Sequence, residues 1–570
     1  MRHIWQIASK IKEEFKNRFP EVNPIVLQLL WNRKLDSQEK IDQFLLPDYS
    51  QDLHDPFLFK EMAGVVERIE RAIKQKEKIT IYGDYDADGI SSTAILYLTL
   101  EKMGGDVSYY LPDREKEGYG MNERAIKKII KNGTKLIITV DCGITNVEEV
   151  EMIKSLAAEV IITDHHLPLN ILPKALFIVD PWLKEEKYPF KPLAGAGVAF
   201  KLAQALIENQ KSKNKNENWE AFEKWLLDLV ALGSVADIVS LKGENRVLVK
   251  YGLVVLNKTS RPGLRSLIKK ARINLGQVDT RAIGLQIASR VNAAGRVDHA
   301  DIALEMILAK DKKKSEELVD KLNKLNQLRQ KKMEKIFEEA IEIVGPSPKD
   351  GIVVAVKENW PIGILGITAH RLMDIYHRPS ILISLRKNEV KGCGRSLAGL
   401  NLIEILKKLE KFLDHYGGHK GAAGFTLKDK TKKGIDQFCS KLQKIARKEM
   451  TKIDFKAKIY VDLEVKLKDL DWPLLEEIKR FEPFGEDNPP PVFLTKGLIL
   501  KEIRKVGKKN KHLKITVENG RKMIYFGGGE ELDKQDVNKK IDVLFQLGEN
   551  HWNGTKEMEF RVLDLRKHQV

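Results

Sequence analysis

Residues 78–112, KITIYGDYDADGISSTAILYLTLEKMGGDVSYYLP, decide the fold, because they hold a complete strand–helix–strand unit. KITIY is a short β-branched run, SSTAILYLTLEKM carries apolar side chains at helical spacing, and DVSYYL reads as a second strand. The alternation continues through KLIITVD (135–141), NVEEVEMIKSL (146–156), EVIITDHH (159–166) and ALFIVDP (175–181). Strands joined by amphipathic helices predict an α/β domain built on a doubly wound parallel sheet. Ligands of such sheets lie beyond the carboxyl ends of the strands, at a switch in strand order. Asp84, Asp141 and Asp164 each close a predicted strand, so separate elements aim their acids into one crevice.

Working outward, KSKNKNEN (211–218) reads as a loop, and WEAFEKWLLDLVALGSVADIV (219–239) as a helix that carries Asp237 near its end. Residues 311–346 predict one long connecting helix, with Leu318, Leu322, Leu325 and Leu328 at helical spacing and no glycine before Gly345; a helical hairpin is the alternative. GIVVAV, PSILISL, GCGRS and YGGHKGAAGF predict a second α/β domain over 347–450. From 451 to 570 short alternating strands with basic turns predict an OB-fold β-barrel. Residues 1–55 form an N-terminal segment without a legible role, and 56–310 the first α/β domain.

A chain of 570 residues is too long for one core. Lysine and arginine number 98 against 81 acids, a net charge of +17, which points to a polyanionic partner; a well-solvated lysine-rich surface is the plainer account. The three cysteines, Cys142, Cys393 and Cys439, make no CxxC pair, so neither a disulfide framework nor a zinc knuckle is signalled. The first residues lack a signal-peptide core and no long apolar run occurs, which predicts a cytoplasmic chain with no membrane span.

Four acidic clusters carry the chemistry: GDYDADG (83–89), VDCG (140–143), TDHH (163–166) and VADI (235–238). The first resembles the start of a calcium loop, but its twelfth position is Ile95 instead of a bidentate glutamate, so that reading fails. An aspartyl-nucleophile phosphatase leaves the paired histidines unexplained. Asp164-His165-His166 puts a carboxylate and imidazoles at one strand end, with one histidine suited to ligate a metal and its neighbour to orient a ligand or phosphate. Carboxylate and imidazole donors without thiolate favour manganese or magnesium. Two such ions suit hydrolysis of a phosphoester or phosphodiester.

The ordered segments GDYDADGISSTAIL, TVDCGITN, ITDHH, LAGAGVAFKL, ALGSVADIVSLKGENR, RPGL, SRVNAAGRVD, GILGITAHRL, KGCGRS, YGGHKGAAGF and EPFGEDNPPPVF resemble the DHH phosphoesterase family over nearly the whole chain, and within it the single-stranded-DNA exonucleases. The resemblance implies metal ligation by Asp84, Asp86, Asp141, His165 and Asp237, with Asp88, Asp164 and His166 in supporting or catalytic positions. It also implies a phosphate clamp facing the metals, formed by Arg290, Asn292, Arg296, Arg395, Ser396, Gly417, Gly418 and His419. Guanidinium forks and glycine-freed amides are a natural grip for that anion.

The implied activity is 5′→3′ hydrolysis of single-stranded DNA to 5′-mononucleotides with two manganese or magnesium ions, in recombination and repair. The implied partners are a RecQ-type helicase and the single-stranded-DNA-binding protein, and the enzyme is expected to be monomeric. Arg504, Lys505, Lys508, Lys509, Lys511 and Lys514 are expected to track the strand, with Tyr525, Phe526 and Trp552 stacking on bases or packing as core. Cys393, Ser289 and Pro361 depart from the family's usual serine, proline and histidine. A phosphodiesterase of short oligonucleotides or cyclic dinucleotides would not need the barrel, and a non-catalytic replication scaffold would have lost its acids.

Overall fold

All five strands of the first sheet are parallel, in the order Asp106–Tyr110, Lys78–Tyr82, Thr134–Val140, Glu159–Thr163, Phe177–Val179. The chain therefore leaves Lys78–Tyr82 toward one side and returns on the other, and the switch in strand order opens the crevice beside that strand. This computed structural model describes residues 3–213, 217–346, 351–451, 456–552 and 555–568. It comprises two units: His54–Val239 with Leu248–Phe455, and Met1–Leu53 with Ser240–Val247 and Lys456–Val570.

In the first unit the helix Ala87–Lys102 is buried along most of its length, and the helices Gly195–Lys213 and Leu227–Ala236 pack on it. Its buried Ser91, Ser92, Thr93 and Thr99 hydroxyls each donate to the carbonyl four residues back, so no polar group is stranded there. Gly195–Lys213 runs three residues, 211–213, into the stretch expected as a loop, and residues 214–216 lie outside the described set. The helix expected over 219–239 is two, Trp219–Trp225 and Leu227–Ala236. Around Leu226 the bonding tightens to three-residue spacing, with Leu226 N donating to Glu223 O and Leu229 N to Leu226 O.

The connecting helix is continuous over Lys312–Val344, capped by the Asp311 side chain and ended by Gly345 at φ +79. Beyond it a mixed sheet runs Leu413–His419, Ala422–Leu427, Val390–Arg395, Ser380–Leu385, Val353–Glu358, and only its last pair is parallel.

The second unit is an OB barrel. Its sheet closes where Phe493–Val506 pairs with both His512–Val517 and Lys540–Trp552, around Phe493, Phe545 and Phe560. Residues near the N-terminus share that core. Ile4–Ile7 pairs with Lys458–Val461, while Phe15, Leu29, Leu30 and Phe44 join the same apolar cluster as Leu474 and Phe481. Among the described residues no helix is long and apolar enough to cross a membrane.

Candidate metal centre and phosphate cleft

Two of the acidic loops are fixed by their own carboxylates. Asp86 caps the helix Ala87–Lys102, accepting from Asp88 N at 2.9 Å and Gly89 N at 3.1 Å. Asp88, fully buried, accepts from Gly195 N at 2.7 Å and Ala196 N at 2.9 Å, which ties the start of another helix to the loop. The close fit needs glycines. A Cβ on Gly195 would lie 2.7 Å from Asp141 Oδ1, and one on Gly233 would lie 2.5 Å from Asp88 Oδ1.

Asp141 follows the strand Thr134–Val140 in the left-handed region, at φ +60, a conformation that a non-glycine residue holds only where its surroundings over-determine it. Asp164 is wholly committed to its neighbours. Oδ1 accepts from His165 N at 2.8 Å and from His166 Nδ1 at 2.8 Å, and Oδ2 from Ile144 N at 3.0 Å. Burial alone would raise its pKa; the hydrogen bond and charge of His166 outweigh that and hold it below the ordinary carboxylate value.

His165 shows which atoms face the centre. Its Nδ1 lies 3.0 Å from the Leu193 carbonyl, a partner that only accepts, so Nδ1 carries the proton and Nε2 a lone pair. Nε2 stands 3.0 Å from Asp141 Oδ1 and 3.8 Å from both Asp88 Oδ2 and Asp237 Oδ2. Asp84 Oδ1, Asp141 Oδ1 and His165 Nε2 are all buried without a hydrogen-bond partner among the described residues. Acceptors crowded together with nothing donating to them fit divalent cations.

The donor atoms fall into three overlapping groups, each within 4.8 Å: Asp84, Asp86, Asp141; Asp88, His165, Asp237; and Asp141, His165, His166. Burial, followed by Asp86, pushes the Asp84 pKa well up; burial, followed by Asp88, brings Asp237 to about 7. Such repulsion is what bound cations would relieve. Cys142 is packed in the core with its Sγ 3.6 Å from Tyr82 O, and takes no part.

Across the cleft, in the same unit, the His166 and His419 rings stack with centroids 6.0 Å apart and planes 10° from parallel. Burial disfavours the His166 cation, but Asp164 outweighs it and holds the pKa at about 9. Tyr119 Oη lies 3.0 Å from His166 Nδ1.

The residues of the expected phosphate clamp divide. Arg296 is half-buried, donates to Gly363 O at 3.0 Å, and its pKa is lowered to about 9 by desolvation and then by Arg114 and Arg329, with Arg395 adding to the repulsion and Asp86 opposing it. Four guanidiniums therefore crowd near the acidic loop, and among the described residues none forms an ion pair with a carboxylate; the polar contacts of Arg329 and Arg395 go to Asn326 Oδ1 and Gly394 O. Arg290 instead donates to Gln286 O and to Asn323 Oδ1 on the connecting helix. Asn292 accepts from Ala87 N at 2.7 Å and braces the acidic loop. The Ser396 hydroxyl turns back to Leu400 O at 3.0 Å. Gly417 and Gly418 lie in the strand Leu413–His419, with Gly418 at φ +131. Sequence reasoning missed Arg114 and Arg329. Arg114 sits just past the strand Asp106–Tyr110, a position that could have flagged it, whereas nothing marks Arg329 within a charged helix.

A parallel sheet with acids at its strand ends, a second domain facing them and a terminal OB barrel define a DHH-type phosphoesterase. Residues 78–234 match the DHH family, N-terminal domain, 349–448 the DHHA1 domain and 461–564 the RecJ OB domain. The chain is 38% identical to a single-stranded-DNA-specific exonuclease RecJ of Bacillus subtilis over 98% of its length and 70% of that protein's. It is 33% identical to that of Thermus thermophilus, covering 96% of this chain and 76% of that one. It therefore belongs to the RecJ family. The crystal structure of Thermus thermophilus RecJ with Mn2+ superposes with a TM-score of 0.83 at 29% identity, covering all of this chain and 80% of that one; the Mg2+ complex gives 0.78 at 28%, covering all of this chain and 79% of that one.

Proposed function

We propose that this chain is a metal-dependent exonuclease specific for single-stranded DNA, acting 5′→3′ and releasing 5′-mononucleotides in recombination and repair. The observation that carries the reading is the cluster of acceptors on Asp84, Asp141 and His165 that have no hydrogen-bond partner among the described residues, set beside four arginines that form no ion pair with a carboxylate among those residues. Asp84, Asp86 and Asp141 would hold one divalent cation, and Asp88, His165 and Asp237 a second, with Asp141 able to serve both. Manganese or magnesium bound there supplies positive charge to an in-line phosphoryl displacement and makes water a better nucleophile.

The protein's own groups position the strand. Arg296, Arg395, Arg114 and Arg329 bind a terminal phosphate, and anchoring that group fixes which linkage reaches the acids. His166, oriented by Asp164, keeps Nε2–H to donate to a phosphate oxygen, opposite His419. In the barrel Arg504, Lys505, Lys509, Lys511 and Lys514 are exposed, and Phe526 is 53% exposed and suited to base stacking, whereas Tyr525 packs against the core. The side chains of Lys508 and Trp552 lie outside the described set. A helicase of RecQ type and the single-stranded-DNA-binding protein would supply ends to this cytoplasmic, monomeric enzyme.

A time course on 5′- and 3′-labelled single strands, with and without MnCl2, tests the reading. Labelled mononucleotide should appear at once from the 5′ label, and only with metal. Immediate release from the 3′ label would refute the polarity, and metal-independent turnover would refute the centre.

A further inference from the structure

The ten residues that leave the metal centre after His166, LPLNILPKAL at 167–176, carry one charge, Lys174, in a chain that is 31% charged. The segment is pinned at both ends. His166 N donates to Asp164 Oδ1 at 3.2 Å, and Leu176 N donates to Val160 O at 2.9 Å, two residues beyond Lys174 and the buried Pro173.

Between those anchors the apolar side chains are left in solvent. Leu167 is 57% exposed, Leu169 58% and Ile171 69%, and Leu172 and Leu176 are exposed as well. A single exposed aliphatic is ordinary, but five within ten residues make a contiguous stretch of unburied apolar surface, and such a patch marks a place of contact.

Its position says what the contact is. Leu167 directly follows His166, whose ring faces His419 across the cleft with centroids 6.0 Å apart, and all of these residues belong to one unit. Three extended residues reach no further than about 11 Å, so Leu167 and Leu169 stay close to any phosphate that His166 meets. A DNA strand is anionic along its backbone and apolar on the faces of its bases. The arginines serve the backbone; an uncharged aliphatic surface beside them serves the bases. In a duplex those faces are covered by stacking, whereas in a single strand they are open to protein side chains.

We propose that the loop 167–172 is a base-contacting surface: Leu167, Leu169 and Ile171 pack on unstacked bases next to the cut and make open bases a condition of productive binding. The inference rests on the exonuclease reading and adds the part of the strand that these residues touch.

The test crosses protein variants with DNA variants. Mononucleotide release with MnCl2 is measured for wild type, Leu167→Ser, Leu169→Ser, Ile171→Ser and Leu169→Met, on a natural 5′-phosphorylated single strand and on the same strand with abasic sugars at the positions nearest the 5′ end. Anisotropy in EDTA measures binding of both. On the natural strand each serine variant should lose about tenfold in kcat/KM, the effect of giving up roughly 50 Å² of apolar contact, and should bind more weakly, while Leu169→Met stays within about twofold of wild type. On the abasic strand wild type should fall toward the serine variants, and these should lose nothing more. Isothermal titration should find wild-type Mn2+ affinity in every variant. Equal losses on both strands would assign the loop to the fold or the metal centre and overturn the inference. Serine variants that cleave the natural strand like wild type, or a wild type indifferent to abasic sugars, would overturn it too and leave the exonuclease reading standing. Failure of the wild type to release mononucleotide from the natural strand would sink that reading and this inference with it.

Discussion

His165 Nε2 and Asp141 Oδ1 lie 3.0 Å apart, both buried. The Leu193 carbonyl accepts the proton at Nδ1, so in the neutral ring the Nε2 lone pair faces the Asp141 carboxylate, a repulsion that a bound cation would relieve.

Removing either acceptor should therefore remove the metal rather than the fold. Asp141→Asn or His165→Ala is expected to lower cleavage by on the order of a thousandfold, while binding of single-stranded DNA in EDTA changes by about twofold or less. Mononucleotide release and fluorescence anisotropy measure the two quantities; retained turnover in either variant would sink the site.

Gly195 tests how tightly the acids are packed. Its missing Cβ is the space that the Asp141 carboxylate occupies. Gly195→Ala should destabilise the protein by about 1–3 kcal/mol through overpacking and should cut activity further than the lost stability explains. Denaturant melts beside saturating-metal rates check this, and a wild-type rate at full folding would show that Asp141 can shift without consequence.

The arginine cluster predicts a preference for the terminal group. Arg296→Gln or Arg329→Gln should slow a 5′-phosphorylated strand by about 10- to 100-fold, the range for losing a hydrogen bond to a charged group, while a 5′-hydroxyl strand is nearly unaffected. Equal losses on both strands would assign these residues to folding or to the scissile linkage instead.

Barrel charges should act on affinity alone. Reversing Lys511 and Lys514, both exposed, to glutamate should weaken binding of a long strand and flatten its salt dependence, with dinucleotide hydrolysis unchanged. Charge reversal is a cleaner test than truncating after residue 455, because Phe15, Leu29 and Phe44 share the barrel's core and would be exposed by that cut. An unaltered salt slope would remove the barrel from strand binding.

The parallel sheet and the positions of Asp84, Asp141 and Asp164 were legible in the chain because strand and helix periodicities are local and an acid after an apolar run marks a strand's carboxyl end. The continuous helix Lys312–Val344 was legible for the same reason. What each polar atom does was not. Asn292 and Ser396 sit in glycine-rich segments suited to phosphate, yet they bond Ala87 N and Leu400 O, because hydrogen-bond partners are assigned by elements far apart in sequence. Arg114 and Arg329 join Arg296 only when three separate elements meet, and the N-terminal helices, silent in the sequence, are held by a core that closes from the other end of the chain. Periodicity and residue type determined which elements form and which chemistry they can carry; long-range packing alone decided which atoms are left without partners, and those atoms make the site.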